Sequence, residues 1–307
     1  MQAHALTPRL VRALQNSEEL DITSIESSQQ APSPATINIE PEFPFLSVLA
    51  SGGHTLLIHS ASLTDHRVMA GTNDIAVGEC LDKIARSVLP PQILQTARST
   101  MYGALLESFA FPETPIVDTD KRIVEPEIEK RPSKPEKKDN YRLEDSTARE
   151  YCAIYGTRYT YVVPKNHEEA LKQNTTKWGW GFNQPLTKAA GGLKSRSMEM
   201  SFSGLMTAVE RVARYQMDQS TGKLTKNERS TKDISIEERR DMAREAMRAA
   251  FEHVASRVVL GLQQITLEKS ASHTAATVVV AGGVAANSYL RYMYEPLCND
   301  LRNTDSC

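Results

Sequence analysis

Residues 43–60 read FPFLSVLASGGHTLLIHS, and this stretch decides the fold. Its apolar runs over Phe45–Ala50 and Thr55–His59 predict two strands, because each run is short and is bounded by turn residues. The residues between them, Ser51-Gly52-Gly53-His54, predict the tight turn of a hairpin. We therefore expect a β-hairpin with two glycines at its tip.

A second apolar run also ends in two glycines. Residues 276–293 read ATVVVAGGVAANSYLRYM, which predicts a buried strand, a turn at Gly282 and Gly283, and the start of a helix. Glycine lets the backbone approach a phosphate closely, and free N–H groups at such turns supply donors. Taken singly, each turn has an ordinary structural explanation, and neither matches the Walker lysine motif or GxGxxG. Together, with Asp82 on a helix between them, the turns predict a nucleotide cleft shared by two similar units.

The composition excludes several classes of protein. The chain has 307 residues and a net charge of −2, so it is not a globally basic nucleic-acid binder. Aromatic residues make up 6%, which argues against stacking on single strands as its main activity. No apolar run approaches the roughly 20 residues of a membrane span. A zinc ribbon is excluded and a reducing compartment expected, because no CxxC pair is formed by Cys80, Cys152, Cys298 and Cys307.

Composition and periodicity also divide the chain. Residues 1–16 predict an amphipathic helix and residues 17–42 a linker rich in Ser, Gln, Glu and Pro. Residues 112–157 predict a charged insertion that buries too little apolar surface to become ordered. Residues 219–234 predict a polar loop, and TRYTYVVP at 157–164 predicts a strand.

Two helices stand out. Residues 73–89 predict a helix with Ile75, Leu81, Ile84 and Val88 on its apolar side. Asp82 lies largely on the other side, where it could simply be solvated. Ser235 and Glu238 predict a capping box at the start of a later helix. Its buried stripe is predicted to consist of Met247, Ala250, Phe251, Val254, Val258 and Leu262.

Four segments occur in an order that is typical of one family: FLSVLASGGHTLLI, GECLDKIAR, MSFSGLMTAV and VVVAGGVAANSYLR, within residues 45–291. Together they closely resemble the tRNA N6-adenosine threonylcarbamoyltransferase family in its bacterial and mitochondrial branch. The opening MQAHALTPRL resembles the HMxAHxL helix of that family without its first residue. The resemblance implies an α/β, actin-like and sugar-kinase-like (ribonuclease-H-like) fold over residues 43–111 and 158–298. It also implies that this domain is nearly complete, that the other is mostly missing, and that the chain is truncated at both ends.

The resemblance implies a reaction and the residues that bind its substrate. The family transfers the threonylcarbamoyl group from threonylcarbamoyl-AMP to N6 of adenosine 37, in tRNAs that read ANN codons. Asp82 would bind a hydroxyl or the substrate near the metal, Gly103 would match a family glycine, and Asn287 would contact the adenylate. Met206 stands where the family has a lysine, so any role of that amine is lost. The phosphate and carbamoyl end would be lined by Leu49, Ala50, Ser51, Gly52 and Gly53.

The resemblance further implies one divalent metal ion of the iron or zinc type. Histidines four residues apart share a helix face and suit a single ion. Only the second family histidine is present, as His4, and the first would precede Met1. The family's CTDN aspartate is not found, and Asp300 in Pro296–Asp300 echoes it only faintly. We therefore expect an incomplete metal site; without the resemblance, His4 would be an ordinary surface or core histidine.

The implied partners are tRNA and threonylcarbamoyl-AMP made by a separate synthase, with no membrane. The family works as a homodimer in mitochondria and with accessory proteins in bacteria. A mitochondrial matrix location is expected if the source is eukaryotic, and a cytoplasmic one otherwise. Three alternatives stay open: a catalytically inactive remnant, an ATPase or kinase of the same superfold, and a metalloprotease, which would lack the HExxH glutamate.

Overall fold

The hairpin predicted from residues 43–60 is the centre of the sheet. A computed structural model describes Leu6, Arg9 and residues 41–97, 99–112, 158–164, 167–187, 196–218, 220–268 and 277–294. Strand β1 (Phe45–Ala50) pairs antiparallel with β2 (Thr55–Ser60), and the register joins Ala50 to Thr55 across the turn. The predicted hairpin is confirmed.

The sheet is mixed and has the strand order β4-β3-β2-β1-β7. β3 (His66–Thr72) pairs antiparallel with β2, and the short β4 (Glu199–Met200) pairs parallel with β3. β7 (Thr277–Ala281) pairs parallel with β1, with Leu49 opposite Ala281. Because parallel neighbours run in the same direction, β1 and β7 end at the same edge of the sheet.

Helices pack against this sheet and against one another. The described helices are α1 (Val77–Val88), α2 (Pro91–Gln95), α3 (Gly103–Ala110), α4 (His167–Gln173), α5 (Ser203–Arg214) and α6 (Ile236–Glu268). The 33-residue α6 is about 50 Å long and contacts β1, β2 and β4, as well as α1, α3 and α5. Its predicted apolar stripe is confirmed: Met247, Ala250, Phe251, Val254 and Val258 are buried, and Leu262 is partly buried. In the described part of the chain, no helix is both long and apolar enough to cross a membrane.

The predicted boundaries of two helices need correction. Leu81, Ile84 and Val88 are buried as expected, but α1 begins at Val77 instead of near residue 73. The residues before it are held differently, because Asp74 binds the start of α5. At the start of α6 only half of the predicted capping box forms. The backbone N–H of Glu238 donates to Ser235 Oγ (3.1 Å), while the Glu238 carboxylate instead accepts from Arg229 and Trp180.

Two further predictions were wrong. Residues 158–164 form no strand; Tyr159 is buried against the rings of Phe111 and Tyr289 instead of lying in a ladder. The expected polar loop at 219–234 contains strand β6 (Lys223–Glu228), which pairs with β5 (Tyr215–Asp218) as a separate hairpin. Apart from Leu6 and Arg9, the predicted helix 1–16 lies outside the described residues, as do most of 17–42 and 112–157.

Candidate functional site

The two glycine turns lie side by side at the edge where β1 and β7 end. Gly282 has a φ of +101°, and a Cβ there would lie 2.3 Å from the carbonyl oxygen of Ala50. This position therefore needs glycine both for its backbone conformation and for its contact with β1. The structure thus brings together the two turns that the sequence singled out separately.

Open space lies above both turns. Gly52, Gly53 and Gly283 are placed so that an added Cβ would meet no atom of the described residues within 4 Å. The turn after β1 is closed by Ser51, whose Oγ accepts from the N–H groups of Gly53 (3.3 Å) and His54 (3.0 Å). An exposed backbone without side chains is the surface on which a phosphate can be held closely.

Helix α1 begins directly against the first turn. The N–H of Gly78 donates to the carbonyl oxygen of Ser51 (3.2 Å), and a Cβ on Gly78 would lie 2.7 Å from that oxygen. No side chain of Ala76 caps this helix; instead, Thr55 Oγ1 accepts from the N–H of Val77 (2.8 Å). The positive end of the α1 dipole is therefore fixed beside the Ser51–Gly53 turn, where it favours an anion.

Asp82 and Gly103 are in direct contact. Asp82 Oδ1 accepts from the N–H groups of Tyr102 (2.7 Å) and Gly103 (3.1 Å), so this α1 side chain caps the start of α3. Burial raises the pKa of Asp82 above its ordinary value, and the two amides and the charge of Arg86 only partly oppose this. The contact joins two residues predicted to bind substrate, and Asp82 lies four residues, about one helical turn, beyond Gly78 on α1.

Asn287 lies below the second turn and is buried. Its Oδ1 accepts from the N–H of Leu290 (3.0 Å), which makes it the cap of the helix over residues 288–294. Its amide group lies 3.8 Å from Met247 Sδ. Its own N–H donates to the carbonyl oxygen of Val284 (3.0 Å), so Asn287 joins the Gly282–Ala286 turn to this helix.

Glu107 was not predicted to have a role, yet it supports the same turn. Its Oε1 accepts from the N–H groups of Ser288 (2.8 Å) and Tyr289 (3.2 Å) and from the hydroxyl of Tyr159 (2.9 Å). Together with Asn287, it satisfies amides that a helix start leaves without internal partners. The only sequence signal was an acid within the apolar segment GALLESFA.

Replacing Glu107 by Ala should lower the free energy of unfolding by about 1–2 kcal/mol, because the N–H groups of Ser288 and Tyr289 lose their acceptor while Asn287 still caps Leu290. Urea unfolding followed by circular dichroism measures this change. The matched control is Glu168→Ala, whose side chain is 79% exposed and pairs with the exposed Lys172. We expect a change below about 0.5 kcal/mol for that control, and equal effects of the two variants would contradict the capping role.

Asp74 fixes a third helix start near α1. Its carboxylate accepts from the hydroxyls of Ser201 and Ser203 and from the N–H groups of Phe202 and Ser203. Burial opposes ionisation, but these hydrogen bonds prevail and lower the pKa of Asp74 to about 2. The MSFSGLM segment is therefore tied to the loop that leads into α1.

The sequence matches one family of proteins. A family model described as tRNA N6-adenosine threonylcarbamoyltransferase matches residues 11–123 and 137–304. The chain belongs to this family. The threonylcarbamoyltransferase family implies the actin-like fold, and the mixed sheet with its packed helices is consistent with that fold.

Individual relatives carry the same family name. "tRNA N6-adenosine threonylcarbamoyltransferase, mitochondrial" from Schizosaccharomyces pombe is 26% identical over 252 residues, which cover 82% of this chain and 40% of that protein. The threonylcarbamoyltransferase of Trichodesmium erythraeum is 24% identical over 259 residues, 84% of this chain and 53% of that protein. A 45-residue stretch, 15% of this chain, is 53% identical to 13% of the Magnetococcus marinus protein. The chain thus spans about half, or less, of the length of these relatives.

The metal expected from the threonylcarbamoyltransferase family is not accommodated by the residues whose positions are known. His4 and Asp300 lie outside the described ranges. Within those ranges, no group of three His, Cys, Asp or Glu side chains is placed to hold an ion. Met206 is partly buried against the core, so the position of the family lysine is filled by an apolar side chain.

Proposed function

We propose that the chain transfers a threonylcarbamoyl group from threonylcarbamoyl-AMP to N6 of adenosine 37 in tRNAs that read ANN codons. The observation that supports this most directly is the pair of open glycine turns at the end of β1 and β7. They lie beside the start of α1, and the three together form a surface suited to the phosphate of an adenylate.

The chain's own residues have positioning roles in this proposal. Leu49, Ala50 and the Ser51–Gly53 turn line the phosphate and carbamoyl end, and the dipole of α1 stabilises the negative charge there. Gly282 lies closely against β1, and Asn287 caps the helix that follows the second turn. Asp82 and Gly103 form the outer wall, where the Asp82 oxygen that does not cap α3 is the one proposed to accept from a substrate hydroxyl.

The proposed carbamoyl transfer needs little help from a general base. N6 attacks the carbamoyl carbon of the mixed anhydride, and the bond from that carbon to the phosphate oxygen breaks. AMP leaves with the electron pair, and N6 gives up one proton to solvent water. Because the leaving group is already good, the enzyme must mainly hold the carbon near N6 and stabilise developing negative charge. Backbone donors at the turns are suited to both tasks.

The remaining parts of the proposal follow from the family and its relatives. We propose tRNA and a separately made threonylcarbamoyl-AMP as partners, and a divalent metal of the iron or zinc type, with His4 as a candidate ligand. A homodimer in the mitochondrial matrix is proposed if the source is eukaryotic, since the Schizosaccharomyces pombe relative is named mitochondrial. If the source is bacterial, we propose a cytoplasmic location and accessory proteins.

The test uses the full chain, a verified stock of threonylcarbamoyl-AMP and unmodified tRNA, with the modified nucleoside measured by mass spectrometry after digestion. Gly53→Ala places a methyl group in the open space above the first turn without contacting protein, and we expect turnover to fall about 100-fold. Gly204→Ala is the matched control, since its Cβ also meets no atom but lies on α5. No modified nucleoside from the unaltered chain, or equal turnover of both variants, would refute the proposed site.

A binding-only protein is the second candidate. It is favoured by the structural use of Asp82 and Asn287, whose side chains cap α3 and the 288–294 helix. Calorimetric titration with AMP separates the two: binding that Gly53→Ala weakens, without any transfer, would support the binding-only protein.

A further inference from the structure

Arg240 carries a charge that the described residues do not balance. Its side chain is half-buried, its Nε is buried without a hydrogen-bond partner, and its guanidinium forms no ion pair within the described ranges. The guanidinium carbon lies 5.6 Å from the centre of the Phe109 ring. Burial, aided by the nearby charge of Arg244, lowers the pKa of Arg240. A desolvated cation in this state costs stability unless an anion pairs with it.

Two more arginines, Arg244 on α6 and Arg86 on α1, lie beside aromatic residues at the two ends of α3. Arg244, one turn further along α6, places its guanidinium carbon 5.6 Å from the Phe111 ring centre. Its Nε donates to the carbonyl oxygen of Ala110 (2.7 Å), and one Nη donates to Asp241 (2.9 Å). At the other end of α3, the exposed Arg86 lies 5.5 Å from the Tyr102 ring centre. Arg86, Arg240 and Arg244 are called the α3 arginines below.

The α3 arginines begin where the candidate site ends. Tyr102, beneath Arg86, gives its N–H to Asp82, and Phe109, beneath Arg240, follows six residues after Gly103. Six helical residues span about 9 Å, which a few nucleotides can cover. The cations therefore start at the outer wall of the proposed adenylate site and continue away from it.

We propose that the α3 arginines bind phosphates of the RNA strand next to the nucleotide being modified. This rests on the proposed function and adds the surface on which the RNA lies. Guanidinium groups stacked on aromatic rings keep their N–H fork rigid, and this fork matches phosphate oxygens in a bidentate way. Asp241 compensates the charge of Arg244 at 2.9 Å, so Arg240 is the arginine whose charge the described residues leave unbalanced, and a phosphate would balance it.

The test measures RNA binding directly, without threonylcarbamoyl-AMP, so its result does not depend on transfer. Fluorescence anisotropy with a labelled tRNA and the full chain is recorded from low to high salt. Arg240→Met keeps the stem over Phe109 but removes the charge; we expect about tenfold weaker binding and a salt slope smaller by about one. Arg240→Lys keeps the charge, so it should keep the slope and lose only part of the affinity. The matched control is Arg214→Met. Arg214 is the last residue of α5 and pairs with Glu228, and this variant should bind RNA normally.

Thermal unfolding separates this role from a structural one. Because Arg240 has no anionic partner in the described protein, Arg240→Met should leave the melting temperature unchanged or raise it. A lowered melting temperature with normal RNA affinity would overturn the proposal. So would an unchanged salt slope, or weaker binding of poly-L-glutamate while RNA binding is retained, since the latter would point to an acidic protein. Lost transfer with intact, Arg240-dependent RNA binding would refute the proposed function alone.

Discussion

Gly282→Ala is expected to reduce the free energy of unfolding by about 3 kcal/mol or more, the largest effect of any single methyl group at the site. The new Cβ would lie 2.3 Å from the Ala50 carbonyl oxygen, a backbone atom that cannot turn away. In addition, φ at this position is +101°, which L side chains rarely adopt. Relief of the contact would require β7 to move away from β1, so the two turns would separate. Urea unfolding of the full chain measures the loss of stability.

Gly283→Ala is the matched control for this prediction. It adds the same methyl group one residue later, where no atom lies within 4 Å, and we expect a change of about 0.5 kcal/mol or less. AMP binding should follow the same order, since Gly282→Ala displaces the second turn. Equal stabilities of the two variants would mean that the close approach of Gly282 to Ala50 does not hold the strands together.

The individual helices and the hairpin of this fold could be predicted, because each depends on the pattern of residues in one short stretch of sequence. The hairpin of β1 and β2, the apolar face of α1 and the buried stripe of α6 all follow from hydrophobic periodicity. The parallel pairing of β1 with β7 could not be predicted in this way. The two strands are far apart in sequence, and the pattern of neither strand indicates which strand lies beside it. That pairing is what turns two unremarkable glycine turns into one candidate site.

Some secondary-structure predictions were wrong because a side chain makes a tertiary contact that its local sequence pattern does not indicate. TRYTYVVP has the composition of a strand, but Tyr159 is used in an aromatic cluster with Phe111 and Tyr289. The Glu238 carboxylate satisfies Arg229 and Trp180 instead of completing a capping box. The polar segment after Asp218 was predicted to be a loop because it is rich in charged residues. It pairs with β5 instead, and its Leu224 packs against the core.

The structure brings together the two turns that the sequence singled out, and the substrate roles of the site residues stay predictions. Gly52, Gly53, Gly282 and Gly283 lie together as the nucleotide-cleft hypothesis required. Asp82 and Asn287 were expected to face substrate, and their main described contacts are with helix starts. Thr55, Gly78 and Glu107 escaped prediction because their hydrogen bonds cross between elements that only the tertiary fold brings together.

His253 makes the stability of this fold depend on pH. It is fully buried on α6, its Nε2 accepts from the N–H of Ser201 (3.3 Å), and Phe202 packs edge-on against its ring at 5.3 Å. Nε2 is an acceptor, so the proton of the neutral ring is on Nδ1, which has no hydrogen-bond partner among the described residues. Burial and the charge of Arg257 outweigh the opposing charge of Asp74 and lower the pKa of His253 to about 3.

Between pH 7 and pH 5 the chain should therefore lose about 2 kcal/mol of stability through this one side chain. In the unfolded chain His253 takes up a proton below about pH 6.5, whereas in the folded chain it stays neutral until about pH 3, so lower pH favours unfolding. Asp74 does not contribute in this range, because its carboxyl is ionised in both states above pH 5. Urea unfolding of His253→Gln, which keeps an acceptor for Ser201, should show a much smaller change from pH 7 to pH 5. His54→Gln, at an exposed position, should retain the full change, and a parallel pH dependence of both variants would exclude His253 as its source.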